Sequence, residues 1–134
     1  MRDHCSYDYA VVRVVPRVER EEFMNVGVIV SCPAHDFLGA RIEIDATRLR
    51  AFAPQLDIDL VQKHTDSIAR ICAGGANAGP IGQLSARERF HWLVAPRSTI
   101  IQVSAAHSGR CVEPSAVLEH LLEKMVRQEP AHSV

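Results

Sequence analysis

The sequence is short of most of what the common function classes need. Aromatic residues make up 5% of its 134 residues. The one cationic segment offers only Phe90 and Trp92, too few for stacking the bases of single-stranded nucleic acid. Charge of one sign is missing as well: 15 basic and 16 acidic side chains leave a net charge of −1. That balance disfavours a globally basic nucleic-acid binder and an acidic, solvating chain alike. No apolar run approaches the roughly 18 residues that cross a bilayer, so no membrane span is expected. The opening MRDHCSYDYA has no apolar h-region, which makes the cytoplasm the expected compartment.

Catalytic and metal signatures are equally scarce. Cys5, Cys32, Cys72 and Cys111 form no C-x-x-C pair, whereas zinc ribbons and disulfide scaffolds need closer, patterned spacing. The thiols read instead as small buried hydrophobes. The seven histidines include no H-x-x-x-H or H-E-x-x-H pattern, and no G-x-S-x-G elbow is present. A Ser–His–Asp triad needs no proximity in sequence, but nothing local supports one. The glycine-rich GGANAGPIG, Gly74 to Gly82, is followed by Gln83-Leu84, where a phosphate-binding Walker loop requires Lys and a hydroxyl residue. It reads as a mobile helix connection, a lid over the cationic segment. No metal, cofactor or catalytic residue is assigned.

What remains is a well-balanced globular chain. Apolar residues make up 47% and charged residues 23%, and a chain this long buries roughly two-thirds of its unfolded surface without a staple. Tyr7–Val15 is rich in β-formers and ends at Pro16. Arg17–Glu22 is a charged connection, at most one helical turn. Phe23–Cys32 is almost continuously apolar, as in a strand buried on both faces, and Gly27 within it predicts a bulge or a close backbone approach. After the turn Pro33–Asp36, Phe37–Ile44 alternates Ile42 and Ile44 with Arg41 and Glu43. These three segments predict an antiparallel meander.

The middle of the chain is helical in period. Asp45 caps a short helix that Pro54 ends, and a second runs from Asp57 to about Cys72, with Ile58, Val61, Thr65, Ile68 and Cys72 as its core stripe. Ser85 and Glu88 make a capping box before FHWLV. The same stretch also reads as a hairpin with Thr99–Ser104, which is a strand either way. Pro114 opens a last helix to about Arg127, and 128–134 reads as a frayed tail. The expectation is a single α+β domain over 1–134, ordered from about 7 to 127. Its core is an antiparallel sheet of about four strands packed against two to four helices.

One constellation stands out. From Arg87 to Arg110 the chain carries Arg87, Arg89, Arg97, Arg110, His91 and His107 against one acid, Glu88. Arg97-Ser98-Thr99 sets two hydroxyls beside a guanidinium, and His107-Ser108-Gly109 reads as a turn exposing backbone donors. Guanidinium forks, hydroxyls and N–H groups suit a phosphate or carboxylate. Arg89, His91, Arg97, Ser98, Thr99 and His107 are therefore the candidate ligand-binding residues. Glu22 and Asn25, at the entrance of the apolar strand, are candidate supports that order an arginine or hold a ligand with it. The competing reading is that these arginines pair with Glu19, Glu21 and Glu22 on the surface. Arginine supplies 13 of the 15 basic residues throughout, so its abundance here also fits genome composition.

Taken together, YDYAVVRVVPRVEREEFMNVGVIV, ERFHWLVAPRSTIIQVS and the HSG before the final amphipathic helix resemble the bacterial family called domain of unknown function 3037. The resemblance runs from about Tyr7 to Val126. It brings no established activity. It implies a protein partner, since some members of that family are encoded beside kinases resembling the HipA toxin kinase, although this chain carries no kinase motif.

Three functions follow as expectations. The first is a non-catalytic accessory or ligand-sensing module that binds an anionic small molecule or a protein partner through the Arg/His/Ser/Thr cluster. The second is a small hydrolase or phosphoryl-transfer enzyme with His91 or His107 as general acid–base. The third, disfavoured by the charge balance, is a nucleic-acid contact along Arg87–Arg110.

Overall fold

In the computed structural model, residues 4–97 and 99–128 are described. Runs of β-forming, largely apolar residues make β1 (Cys5–Val14) and β2 (Met24–Cys32) the two inner strands, and β3 (Phe37–Ile42) continues the meander. The spatial order is β3-β2-β1, with β4 (Ile101–Val103) and β5 (His107–Cys111) both pairing along the other edge of β1. All these pairings are antiparallel.

Two irregularities shape the sheet. Val12 pairs with Gly27 and Arg13 with Asn25, so Val26 is an extra residue in β2. Both sequence expectations for Gly27 hold there, because a Cβ on it would come within 2.8 Å of the Arg41 carbonyl of β3. On the opposite edge the ladder breaks between β4 and β5. Ser104 bridges the gap: its hydroxyl accepts the Val11 N–H at 2.8 Å, and its own N–H donates to the Val11 carbonyl at 2.9 Å.

The helices begin where the capping residues predict. Asp45 accepts the Arg48 N–H at the start of α1 (Ala46–Phe52), and Asp57 accepts that of Leu60 at the start of α2 (Ile58–Ala73). Ser85 and Glu88 form a reciprocal capping box on α3 (Ala86–Val94), which settles that stretch as a helix and not a hairpin. α4 (Pro114–Met125) starts on its proline. The glycine-rich connection folds as 3₁₀ turns over Ala76–Gln83, with Gly74 packed against the Arg89 guanidinium.

Strand alternation divides the interior in two. Val12, Val14 and Ile29 face one way, into a core with Leu49 of α1, Val61, Ile68 and Ile71 of α2, and Phe90 and Leu93 of α3. Val28, Val30 and Cys111 face the other way, onto Val117, Leu118, Leu121 and Leu122 of α4. The result is a single α+β domain in three layers, and β2 is buried from Val26 to Cys32. Among the described residues, no helix is long and apolar enough to cross a membrane.

One local expectation fails. His107-Ser108-Gly109 is not a turn but the first part of β5, paired with Tyr9, Asp8 and Tyr7. Gly109 is there for close approach: a Cβ would stand 2.5 Å from the tip of the Tyr7 ring. The expected tail is mostly beyond reach, since 129–134 lie outside the described residues.

Candidate functional site

The candidate residues are scattered by the fold, and each scattering has a local cause. Arg89 lies one turn into α3, where its guanidinium reaches the end of α2. Nη1 donates to the Ile71 and Cys72 carbonyls, both at 2.7 Å, and Nε to the Leu84 carbonyl at 3.1 Å. Arg97 closes α3 in the same manner: Nη2 donates to the Trp92 carbonyl at 2.7 Å and Nη1 to that of Leu93 at 3.2 Å, with the guanidinium 4.2 Å from the Trp92 ring centroid. Both arginines complement the negative ends of helices and are occupied by backbone carbonyls.

Arg97 and Thr99 do share a cleft of about 210 Å³ with His64, Trp92 and Gln102. The Thr99 hydroxyl is turned onto the Ile101 carbonyl, and Ser98 lies outside the described residues. His91 and His107 are exposed on opposite sides of the sheet. His91 faces Asp8 beside α3, while His107 packs against Tyr9 on the α4 side, ring centroids 5.4 Å apart. They cannot act together as acid and base.

The two supporting residues take other partners too. Glu22 pairs with Arg20, and Asn25 donates to the Met125 carbonyl at 3.0 Å, tying β2 to the end of α4. Among the described residues the Asn25 Oδ1 and the Arg13 Nε, on directly opposed residues, are buried without a partner. The competing expectation, pairing with Glu19, Glu21 and Glu22, does not hold for the later arginines. Among the described residues only Arg87 of these arginines meets a carboxylate, and it is Asp8.

That pair is the centre of what the fold does gather. Asp8 and Ser108 are opposed across β1 and β5, so they share a face, and Ser31 is opposed to Asp8 across β2. Arg87, on the first turn of α3, reaches down onto them. Its Nη2 donates to Asp8 Oδ2 at 2.6 Å and its Nη1 to Ser31 Oγ at 3.0 Å, while Ser108 Oγ donates to Asp8 Oδ1 at 2.7 Å. The Ser108 hydrogen bond, then the Arg87 bond and charge, hold the Asp8 carboxyl below its ordinary range against the opposing effect of burial, and the nearby His91 acts in the same direction.

Two residues beyond Ser108, Arg110 lies on the same face of β5, opposite Ser6. It is exposed and has no ion pair with a described residue. The patch thus holds two guanidiniums, one imidazole and three hydroxyls around a single carboxylate that is already doubly hydrogen-bonded.

Arg87, Ser108 and Arg110 fell within the segment the sequence singled out, but Asp8 and Ser31 did not. The available signal was polarity out of place: Asp8 interrupts a run of β-formers, and Ser31 ends an apolar one.

A larger groove, about 720 Å³, lies between the β1–β2 connection and the α1–α2 connection. Its walls include Pro16, Phe52, Pro54, Leu56 and Ile100. Its charges are largely matched within the fold, Arg20 by Glu22 and Asp57 by the amide it caps. Among the described residues, no group of three or more His, Cys, Asp or Glu side chains is placed to hold a metal ion.

Comparison with known proteins agrees with the resemblance seen in the sequence. The family described as protein of unknown function (DUF3037) matches residues 9–126, nearly the whole chain. No curated protein and no solved structure matches it.

Proposed function

The chain belongs to the DUF3037 family, and we propose that it is a non-catalytic binding module that recognises a phosphate- or carboxylate-bearing small molecule at the Arg87–Asp8–Ser108 patch. One observation carries this reading. Asp8 uses both oxygens to fix Arg87 and Ser108, so the cationic surface is held in place before any ligand arrives, and Arg110 and His91 remain exposed beside it. A guanidinium with remaining N–H groups, next to hydroxyls and a second, exposed guanidinium, matches the fork geometry of an oxyanion.

The chemistry around the patch favours binding over turnover. The Ser108 proton is directed to Asp8, not to a histidine. Burial pushes the Tyr7 hydroxyl up and the Cys72 thiol to about 12, the reverse of what activates a nucleophile.

The test is a set of thermal melts of the full chain against inorganic phosphate and citrate, with the exposed substitutions Arg110→Glu and His91→Gln. An anion at about ten times its Kd stabilises by about 1.4 kcal/mol, a rise in Tm of about 5 °C. The Arg110→Glu chain is expected to lose most of that rise while melting normally without ligand. An equal rise in the wild type and in Arg110→Glu, or none in the wild type, refutes the assignment.

A further inference from the structure

The four cysteines look unrelated in sequence, yet the fold assembles three of them at one end of the sheet. Cys5 begins β1 and Cys111 ends β5, and the register makes them direct partners. Directly opposed residues of an antiparallel pair have Cα atoms about 4.5 or 5.5 Å apart, depending on the kind of site. Both values lie within the range of roughly 4.4–6.8 Å that a disulfide spans. Opposed side chains also emerge on the same face, so the two sulfurs start on the same side of the sheet.

Cys32, the last residue of β2, completes the group. Its thiol donates to the carbonyl of Ser6, the residue after Cys5, at 3.4 Å, and its nearness adds to the upward push of burial on the Cys111 thiol. Access is graded: Cys5 is part-exposed, Cys111 is 8% exposed and Cys32 is fully buried. Cys72 is elsewhere, in the core between the sheet and α2.

We propose that Cys5 and Cys111 form a reversible disulfide under peroxide, a modification site that locks the edge strand β5 onto β1. The part-exposed Cys5 sulfur attacks one peroxide oxygen; the O–O bond breaks, a sulfenic acid forms and the other oxygen leaves as water. The Cys111 sulfur then attacks the Cys5 sulfur. The S–S bond forms as the S–O bond breaks, and the departing hydroxide leaves with the Cys111 proton as a second water. Two thiols are oxidised by two electrons in all, and one peroxide is reduced. A dithiol reductant returns both thiols by exchange.

Two features make Cys5–Cys111 the expected pair. Cys32 has no oxidant access of its own, and its thiol is held by the Ser6 carbonyl, so it does not meet peroxide first. Cys111 is the thiol directly opposed to the part-exposed Cys5 in the register, and the bond joins the first strand to the last, closing a long loop of the kind where a cross-link restricts the unfolded chain most.

The experiment is peroxide treatment of the reduced full chain, followed by intact mass and a non-reducing peptide map. The expected result is the loss of two hydrogen masses, a linked pair of peptides containing Cys5 and Cys111, and a higher Tm that dithiothreitol reverses. Cys32→Ser and Cys72→Ser retain the product, whereas Cys5→Ser and Cys111→Ser lose it. A Cys5 that gains only oxygen, or a cross-link through Cys32 or Cys72, overturns the proposal. The map of the wild-type chain decides this alone, so the outcome does not depend on any variant folding.

Discussion

Arg89 separates a structural arginine from a ligand arginine more sharply than any other residue. Replacing it by Met keeps the aliphatic stem and removes the guanidinium, and with it hydrogen bonds to Ile71, Cys72 and Leu84. Charge-assisted bonds contribute about 1.5–3 kcal/mol each when well sheltered, and less where water substitutes. The side chain is half-buried, so about 1 kcal/mol per bond is the appropriate figure, or about 3 kcal/mol in all. The cationic end facing the α2 terminus adds up to about 1 kcal/mol. For a domain of this length that corresponds to a drop in Tm of about 10–15 °C. Lys at 89 restores the charge but not the fork, and recovers only a fraction of the loss.

The assay is urea unfolding of wild type, Arg89→Met and Arg89→Lys, with amide exchange over 70–76 as the local readout. Protection is expected to fall there first. The same Met variant, melted against phosphate, is expected to show an undiminished ligand response. A Tm within about 2 °C of wild type refutes the helix-end role. A stable variant that has lost its phosphate response returns Arg89 to the ligand site.

Gly27→Ala is expected to destabilise by about 1–3 kcal/mol, because the added methyl meets the Arg41 carbonyl and the Ile42 side chain in a buried position; an unchanged urea midpoint counts against the close approach. Asp8 makes stability depend on acid. Its folded pKa is depressed by the Ser108 and Arg87 hydrogen bonds, so its contribution is complete above the ordinary aspartate value. That contribution declines as the pH falls below this value and is lost once the folded group protonates. Urea midpoints measured from about pH 6 to about pH 2 are expected to fall more steeply for wild type than for Asp8→Asn over the lower part of that range. Parallel curves refute the linkage.

Much of the architecture is legible residue by residue. Asp45, Asp57 and Ser85 mark helix starts because a cap is satisfied by amides two or three residues away. The β2 segment reads as doubly buried because every residue from Val26 to Cys32 is in fact covered. The site was legible only in part. The sequence offers Arg89 and Arg97 as ligand residues, whereas in the fold both guanidiniums are taken up by helix-end carbonyls. A guanidinium one turn from a helix end finds the nearest orphan carbonyls first, and sequence shows the guanidinium without showing the carbonyls. His107 was misjudged for a related reason: the glycine after it signals a turn locally, whereas its actual cause is the Tyr7 ring, a residue of the first strand.

The sequence by itself determined most of the elements, the two-sided burial of β2 and the family, because these depend on near-neighbour sterics, capping and apolar period. Only the tertiary structure decided which distant polar groups meet. Asp8 and Ser108 are 100 residues apart, and Cys5 and Cys111 meet through the same pairing. That register follows from burying both faces of β1 at once, since a slip of one residue would exchange the side chains of the two cores. No local pattern along the chain encodes that competition.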